Sequence, residues 1–167
     1  MADERRNVLI RVARDGYALQ YAPEECKNDR DVVLTAVRQN GYALEYASDE
    51  LKGDREIVLA AVRQTGYALG HAAQELKSDH EIVLTAVKQD WAVLEWASES
   101  CKHNRDIVLA ATENCAYALE FASEQLVEDP AFAAEVKADV CILKVTMMSG
   151  RFCYEVLEAP DVAGENA

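Results

Sequence analysis

The chain has 167 residues, half of them apolar, with 30 acidic side chains against 17 basic ones and a net charge of -13. A chain of this length and apolar content can bury the core of one ordinary domain. The acidic balance argues against nucleic acid or an anionic membrane surface as the main partner, because phosphate binding is driven by clustered Lys and Arg.

The sequence carries no signal for secretion or membrane insertion. No uninterrupted apolar run approaches the length of a bilayer span, and the segment from Met1 to Asn7 lacks the apolar core of a secretory signal. The five cysteines are odd in number and form no C-x-x-C pair. These features predict a chain without membrane contact in the reducing cytoplasm.

One stretch of sequence recurs every 25 residues. The segment from Asp54 to Leu69 returns as Asp29 to Leu44, and it begins again at Asp79. The period defines units one to five near residues 4–28, 29–53, 54–78, 79–103 and 104–128, followed by a half unit at 129–137. We therefore predict a mainly α array over residues 1–137, an α-solenoid of 25-residue two-helix repeats.

The first part of each unit is predicted to be a helix of about ten residues, from Arg55 to Gln64 in unit three. Asp54 precedes it and suits the N-cap, because its side chain accepts from free backbone N–H groups at the positive end of the helix. Apolar residues from Val58 to Val62 lie at i, i+1, i+3 and i+4, which indicates one buried stripe. Gly66 follows, and we expect it to end the helix with a positive φ.

A shorter helix and a tight turn complete each unit. In unit two the pattern from Tyr42 to Ala47 predicts the second helix, and Ser48 can cap a last helical turn. Trp91 and Ala116 replace the glycine in units four and five, so either those turns use another geometry or a side chain fills a gap there. Such units bury their apolar faces by stacking on their neighbours.

Both ends of the array are predicted to be caps. Asn7 and Arg11 stand in unit one where internal units have an apolar residue and Ala. At the other end, Asp129 and Pro130 give a strong helix start, yet no second helix follows.

The pattern changes from helical to extended near residue 140. Two β-prone runs at 141–147 and 151–157 flank Gly150, which predicts a short C-terminal β-hairpin within residues 140–158. Its open strand edges could support self-association. Residues 159–167 are small and acidic, and we expect a disordered tail.

The repeat resembles a known helical family. The pattern D-R-[ED]-[IV]-V-L-x-A-V-x-Q-x-G-Y-A-L, followed by [YFWH]-A-S-x-E-L-K, is similar to the family called domain of unknown function 4116, from residue 4 to about 137. The resemblance implies tandem α-helical units in intracellular proteins and carries no established activity or site residues. The hairpin resembles the opening of a ubiquitin-like β-grasp domain over about 25 residues, from Leu143 onward.

The second helices carry aromatic residues that would form a ladder along the array. Such platforms bind peptides well, which favours a groove for a protein partner of unknown identity. The alternative is that the aromatic stripe packs between repeats as core. The candidate partner-binding residues are Tyr42, Tyr46, Tyr67, His71 and Trp96.

Two other constellations give weaker signals. An arginine ladder at Arg5, Arg30, Arg55 and Arg105 lies beside acids, which favours a solvated face of ion pairs over an anion site. His80, Cys101 and His103 lack zinc spacing, so neither a metal nor another cofactor is predicted.

These features predict a non-catalytic protein–protein interaction module or scaffold, because no nucleophile, acid–base pair or phosphate loop is recognisable. The alternative is a ubiquitin-pathway-related or oligomerising adaptor that acts through the C-terminal hairpin.

Overall fold

The computed structural model describes residues 2–139, 144–148 and 151–155 of the chain. Its architecture is mainly helical, with tandem repeats in which each long helix packs on the long helix of the next unit. The long helices are Ala2–Arg14, Arg30–Gln39, Arg55–Gln64, His80–Val87, Arg105–Asn114 and Pro130–Asp139.

Each unit continues with two short elements. A six-residue 3₁₀ helix comes first, and these helices are Gly16–Tyr21, Gly41–Tyr46, Gly66–His71, Trp91–Trp96 and Ala116–Phe121. One short helical turn follows at Glu24–Lys27, Asp49–Lys52, Leu76–Ser78, Glu99–Lys102 and Glu124–Val127. Successive 3₁₀ helices contact one another, so they form a continuous row along the array.

The long helix of unit three begins and ends where the sequence predicts. The Asp54 side chain accepts from the backbone N–H groups of Glu56 and Ile57, at 2.9 and 3.1 Å. Along this helix Ile57, Val58, Ala61 and Val62 are fully buried. The predicted cap and buried stripe are therefore confirmed for this unit.

The second element of each unit is a 3₁₀ helix, and this has a consequence for its side chains. In a 3₁₀ helix the residues i and i+3 eclipse each other, whereas residues i and i+4 point in different directions. Tyr42 and Tyr46 therefore do not form a pair on one side of their helix. They belong to two separate columns along the row.

The prediction that the glycines end the long helices with a positive φ is wrong. Gly16, Gly41 and Gly66 are each the first residue of a 3₁₀ helix, and none has a φ in the left-handed region. Their role is close approach, since a Cβ at Gly16 would lie 2.6 Å from the Ala36 carbonyl oxygen of the next unit. Glycine is needed there because backbone meets backbone.

Hydrogen bonds join successive units at two further places. The backbone N–H of Ser48 donates to the Lys27 carbonyl at 3.0 Å, and equivalent bonds follow each 25 residues later at Ala73, Ser98 and Ser123. The Gly66 N–H donates to Gln89 Oε1 at 2.9 Å, while Gln89 Nε2 donates to the Val62 carbonyl at 2.7 Å. Gln39 accepts in the same way from the Gly16 N–H at 2.9 Å, so these two glutamines bond between adjacent units.

The arginine ladder is a set of ion pairs that cross from units one, two, three and five to the following unit. Arg5 donates from Nε to the Asp29 carboxylate at 2.5 Å and from Nη2 to Asp31 at 3.0 Å. Arg55 bonds to Asp79 and Glu81 in the same way, at 2.8 and 2.5 Å. The bonds from Arg5 hold the pKa of Asp29 below its usual range.

Substitutions at Asp54 separate its two roles. Asp54→Ala is expected to lower the free energy of unfolding by about 1–2 kcal/mol, because the cap at the N-terminus of the long helix is lost. Asp54→Asn is expected to cost less than about 1 kcal/mol, since it removes only the exposed ion pair with Arg30. Asn104 already caps the equivalent helix of unit five through Ile107. Urea denaturation of both variants measures the difference, and equal losses would contradict the capping role.

The first unit of the array differs from its interior as the sequence predicts, whereas the half-unit helix resembles the interior. Asn7 and Arg11 are exposed in unit one, whereas the equivalent Ile57 and Ala61 of unit three are fully buried. At the other end Phe132 is buried to 1% exposure on the half-unit helix.

Two strands lie beyond the helices. Lys144–Met148 and Arg151–Glu155 pair antiparallel, with Thr146 opposite Cys153. The predicted turn at Gly150 and the tail at 159–167 lie outside the described residues, and the ubiquitin-like resemblance stays a prediction. Within the described part of the chain, no helix is long and apolar enough to cross a membrane.

Candidate interaction face

The row of 3₁₀ helices presents one outward side, which we call the aromatic face. Three columns of residues, spaced by one unit, form it. The first column is Tyr17, Tyr42, Tyr67, Ala92 and Tyr117; the second is Gln20, Glu45, Gly70, Glu95 and Glu120; the third is Tyr21, Tyr46, His71, Trp96 and Phe121.

The 3₁₀ geometry explains why the first two columns share one edge. Tyr42 and Glu45 are three residues apart and therefore eclipse each other. The same period places Gly41 and Leu44 together on the inner side, where both are buried. The helices of units two and five thus fix Leu44 and Leu119 in the core and direct their Tyr and Glu toward solvent.

Aromatic rings of the third column pack on the first column of the preceding unit. The ring centroids of Tyr17 and Tyr46 lie 6.4 Å apart in an edge-on arrangement. Those of Tyr67 and Trp96 lie 5.5 Å apart at an interplanar angle of 67°. Such pairs add about 0.5–1.5 kcal/mol each beyond their buried area. These contacts therefore join the two columns across the junctions between units one and two and between units three and four.

The centre of the face is different from its flanks. Gly70 stands where units two, four and five have glutamate, and a Cβ there would lie 3.4 Å from the Trp96 indole. Lys77 donates from Nζ to the Gly70 carbonyl at 3.0 Å. Unit three therefore presents an apolar ring and a nearby ammonium in place of a carboxylate.

Polar groups on the face tie the tyrosines to neighbouring acids. A hydrogen bond with Asp90, joined by the negative charge of that carboxylate, raises the pKa of Tyr67. Burial raises the pKa of Tyr46, and the nearby charge of Glu45 acts in the same direction. Both phenols are therefore protonated donors across the physiological pH range.

The five candidate residues all lie on the aromatic face, at two depths. Tyr42 and Tyr67 are exposed to 36% and 37%. Tyr46, His71 and Trp96 are partly buried. Tyr67 also packs on the Trp96 ring, so exposure and packing between repeats occur together on this surface, and partner contact stays a prediction.

One feature of the face was not singled out from the sequence. The glutamate column was overlooked, although the spacing Tyr-x-x-Glu occurs at Tyr42 and again at Tyr117. Trp91, which replaces a glycine, contacts Phe121 with ring centroids 6.1 Å apart. It supplies the ring contact at the unit in which Ala92 takes the tyrosine position.

Cys101 and His103, two of the three residues considered as metal ligands, form hydrogen bonds within the array. Cys101 is buried, with its thiol 3.6 Å from the Ser78 carbonyl. His103 Nδ1 shares a hydrogen bond of 2.7 Å with the Ser123 hydroxyl. Among the residues that the structure describes, no group of three or more His, Cys, Asp or Glu side chains is placed to hold a metal ion.

Comparison with protein families gives three tandem matches to one family model, described as Domain of unknown function (DUF4116). They cover residues 6–52, 54–100 and 79–127, so each match spans about two units. No curated protein and no solved structure matches the chain.

Proposed function

Because the chain belongs to the DUF4116 family, a family of helical repeats defined without an activity, we propose its function from the aromatic face. The proposed function is a non-catalytic interaction module that binds a segment of a partner protein across the row of 3₁₀ helices. Tyr42 and Tyr67 would make the central contacts, with the Trp96 ring packed on Tyr67.

One observation carries this proposal. Tyrosine rings stand exposed in a column that crosses the junctions between units, and the rings of Tyr17 and Tyr67 pack on rings of the following unit. Tyr and Trp are the residues most enriched at the energetic centres of protein interfaces, because each offers a large contact area at low entropic cost. A column of them suits a partner segment that runs along the array.

A peptide selection tests the proposal. A random peptide library displayed on phage is panned against the full chain, and the selected peptides are titrated against wild type and Tyr42→Ala/Tyr67→Ala. The double variant is expected to bind about tenfold or more weakly, as for loss of central interface tyrosines. Ala92 occupies the same column in unit four, where Trp91 supplies the ring contact, so a thermal melt of the double variant is needed to confirm that it stays folded.

A matched control removes an exposed apolar side chain elsewhere. Ile10 is 47% exposed on the first long helix, away from the aromatic face. Ile10→Ala is expected to leave the affinity of the selected peptides unchanged. Selected peptides that bind the tyrosine variant as tightly as wild type would refute the proposal.

The alternative function through the C-terminal hairpin stays a prediction. Strand edges can add strands from another chain, so the paired strands at 144–148 and 151–155 could join two copies. Sedimentation of the chain with and without residues 140–167 tests this, since the same monomeric mass in both would rule out self-association through the hairpin.

Cytoplasmic location is likewise proposed from the cysteine pattern.

A further inference from the structure

We propose that the aromatic face binds an extended, positively charged segment, with basic side chains at Glu45, Glu95 and Glu120 and an apolar side chain over Gly70. This inference rests on the proposed function, and it adds the chemistry and the spacing of the partner. Its evidence is the column of carboxylates, the interruption of that column in unit three and the geometry of the repeat.

The carboxylates of the second column are available to cations. Glu45, Glu95 and Glu120 are exposed, and none of them forms an ion pair with another described residue. Acids on the short helical turns differ, since Glu24 and Glu99 each pair with a lysine three residues later. The negative charge of the face is thus not neutralised within the unit.

The pairing of tyrosine with glutamate favours arginine. Tyr42 eclipses Glu45 on its 3₁₀ helix, so a ring face and a carboxylate are presented together. A guanidinium can stack on an aromatic ring while it donates to a carboxylate, and such a cation–π contact is worth about a factor of two to five in affinity at an exposed site. Tyr117 and Glu120 repeat the arrangement in unit five.

Unit three requires a different side chain from the partner. Gly70 has no carboxylate, the Lys77 ammonium lies 3.0 Å from its carbonyl, and the Trp96 indole covers it. A cation at this point would meet the Lys77 charge, whereas an apolar side chain would pack on the indole. The partner's side chains over units two to five are therefore expected to be basic, apolar, basic and basic, in that order.

The spacing of the units fits an extended chain. Packed helices lie about 8–10 Å apart, so successive carboxylates are separated by about the same distance. A polyproline II segment rises about 3.1 Å per residue and returns to the same side after three residues, which covers about 9 Å. A basic residue at every third position, with one replaced by an apolar residue, matches this repeat.

The net charge of -13 also favours binding of a positively charged segment. An acidic protein attracts cationic segments at long range and raises their rate of association. This attraction is not specific to one face, so the experiment must separate the aromatic face from the total charge.

Fluorescence anisotropy with labelled peptides tests the inference on the full chain. The probe is Arg-x-x-Leu-x-x-Arg-x-x-Arg, used also in reverse order, with proline, serine and alanine at the x positions. One comparison peptide has Gln for each Arg, and another, Leu-x-x-Arg-x-x-Arg-x-x-Arg, keeps the composition and moves the apolar residue. The reference is whichever order of the probe binds more tightly. We expect the Gln peptide to bind about tenfold more weakly than this reference, and the moved-Leu peptide about threefold more weakly.

Two protein variants with the same change of charge provide the control. Glu45→Gln/Glu95→Gln/Glu120→Gln neutralises the aromatic face, and we expect it to weaken the probe about tenfold. Glu25→Gln/Glu50→Gln/Glu75→Gln neutralises three exposed acids outside the 3₁₀ row, near the start of the short turns. This second variant is expected to weaken the probe less than about threefold.

The outcomes distinguish the two proposals. Equal weakening by both triple variants, equal affinity of the Arg and Gln peptides, or no saturable binding of the probe up to about 1 mM would overturn the inference. If the Gln peptide binds as tightly and Tyr42→Ala/Tyr67→Ala still weakens it, the interaction face stands and only its charge preference is wrong. If the tyrosine variant weakens no peptide, the proposed function fails as well.

Discussion

Gly41→Ala is expected to lower the free energy of unfolding by about 2–3 kcal/mol, as an overpacked junction does. The new methyl group would overlap sterically with the Ala61 carbonyl oxygen of the next unit, and it would lie 2.7 Å from Thr65 Cγ2. The Thr65 side chain can rotate away, but the carbonyl belongs to the long helix of unit three. The junction between units two and three must therefore open.

Gly53 provides the matched control for this substitution. It is an exposed helix-terminal residue in the right-handed helical region, at φ -93° and ψ -5°. A Cβ there would lie 3.3 Å from the nearest atom, the Glu50 carbonyl oxygen. Gly53→Ala is expected to change stability by less than about 1 kcal/mol. Urea denaturation followed by circular dichroism measures both, and equal effects would contradict the close-approach role of Gly41.

Ile57→Asn is expected to lower the free energy of unfolding by about 3–5 kcal/mol, more than Gly41→Ala does. Ile57 is fully buried on the long helix of unit three, so the variant removes buried apolar volume and places an amide where the core offers it no partner. A lower thermal midpoint with a broader transition is expected, because loss of one unit divides a stacked array.

The reverse substitution at the first unit is expected to have a different effect. Asn7 holds the position equivalent to Ile57, but it is exposed at the end of the array. Asn7→Ile/Arg11→Ala is expected to preserve the stability of the chain and to promote association through the uncovered end, because terminal repeats need a polar outer face. Sedimentation at increasing concentration measures this. A loss of stability close to that of Ile57→Asn would show that Asn7 is not an end cap.

The sequence predicted those features of the fold that depend on local chemistry. The Asp54 cap, the buried stripe from Val58 to Val62 and the polar end at Asn7 each follow from residue type and helical spacing. The match of the family model to residues 6–127 confirms the repeat family that the sequence pattern resembled.

Features that depend on contacts between units were predicted less well. Gly66 was interpreted as a helix stop, because the sequence does not show that the Ala86 carbonyl of the next unit lies against it. The second helix was not recognised as a 3₁₀ helix, so the alignment of Tyr42 with Glu45 was missed. The ion pairs of Arg5 and Arg55 were expected, but their direction from one unit to the next is set by stacking.

Chemical-shift mapping of the full chain with the probe Arg-x-x-Leu-x-x-Arg-x-x-Arg tests the aromatic face most directly. Amide and indole signals along the row of 3₁₀ helices, from Gly41 to Phe121, should shift in a saturable manner. The Trp96 indole should move among the most, while signals from the start of the long helices should change little. Shifts confined to the long-helix N-termini or to residues 140–167 would contradict binding at the aromatic face.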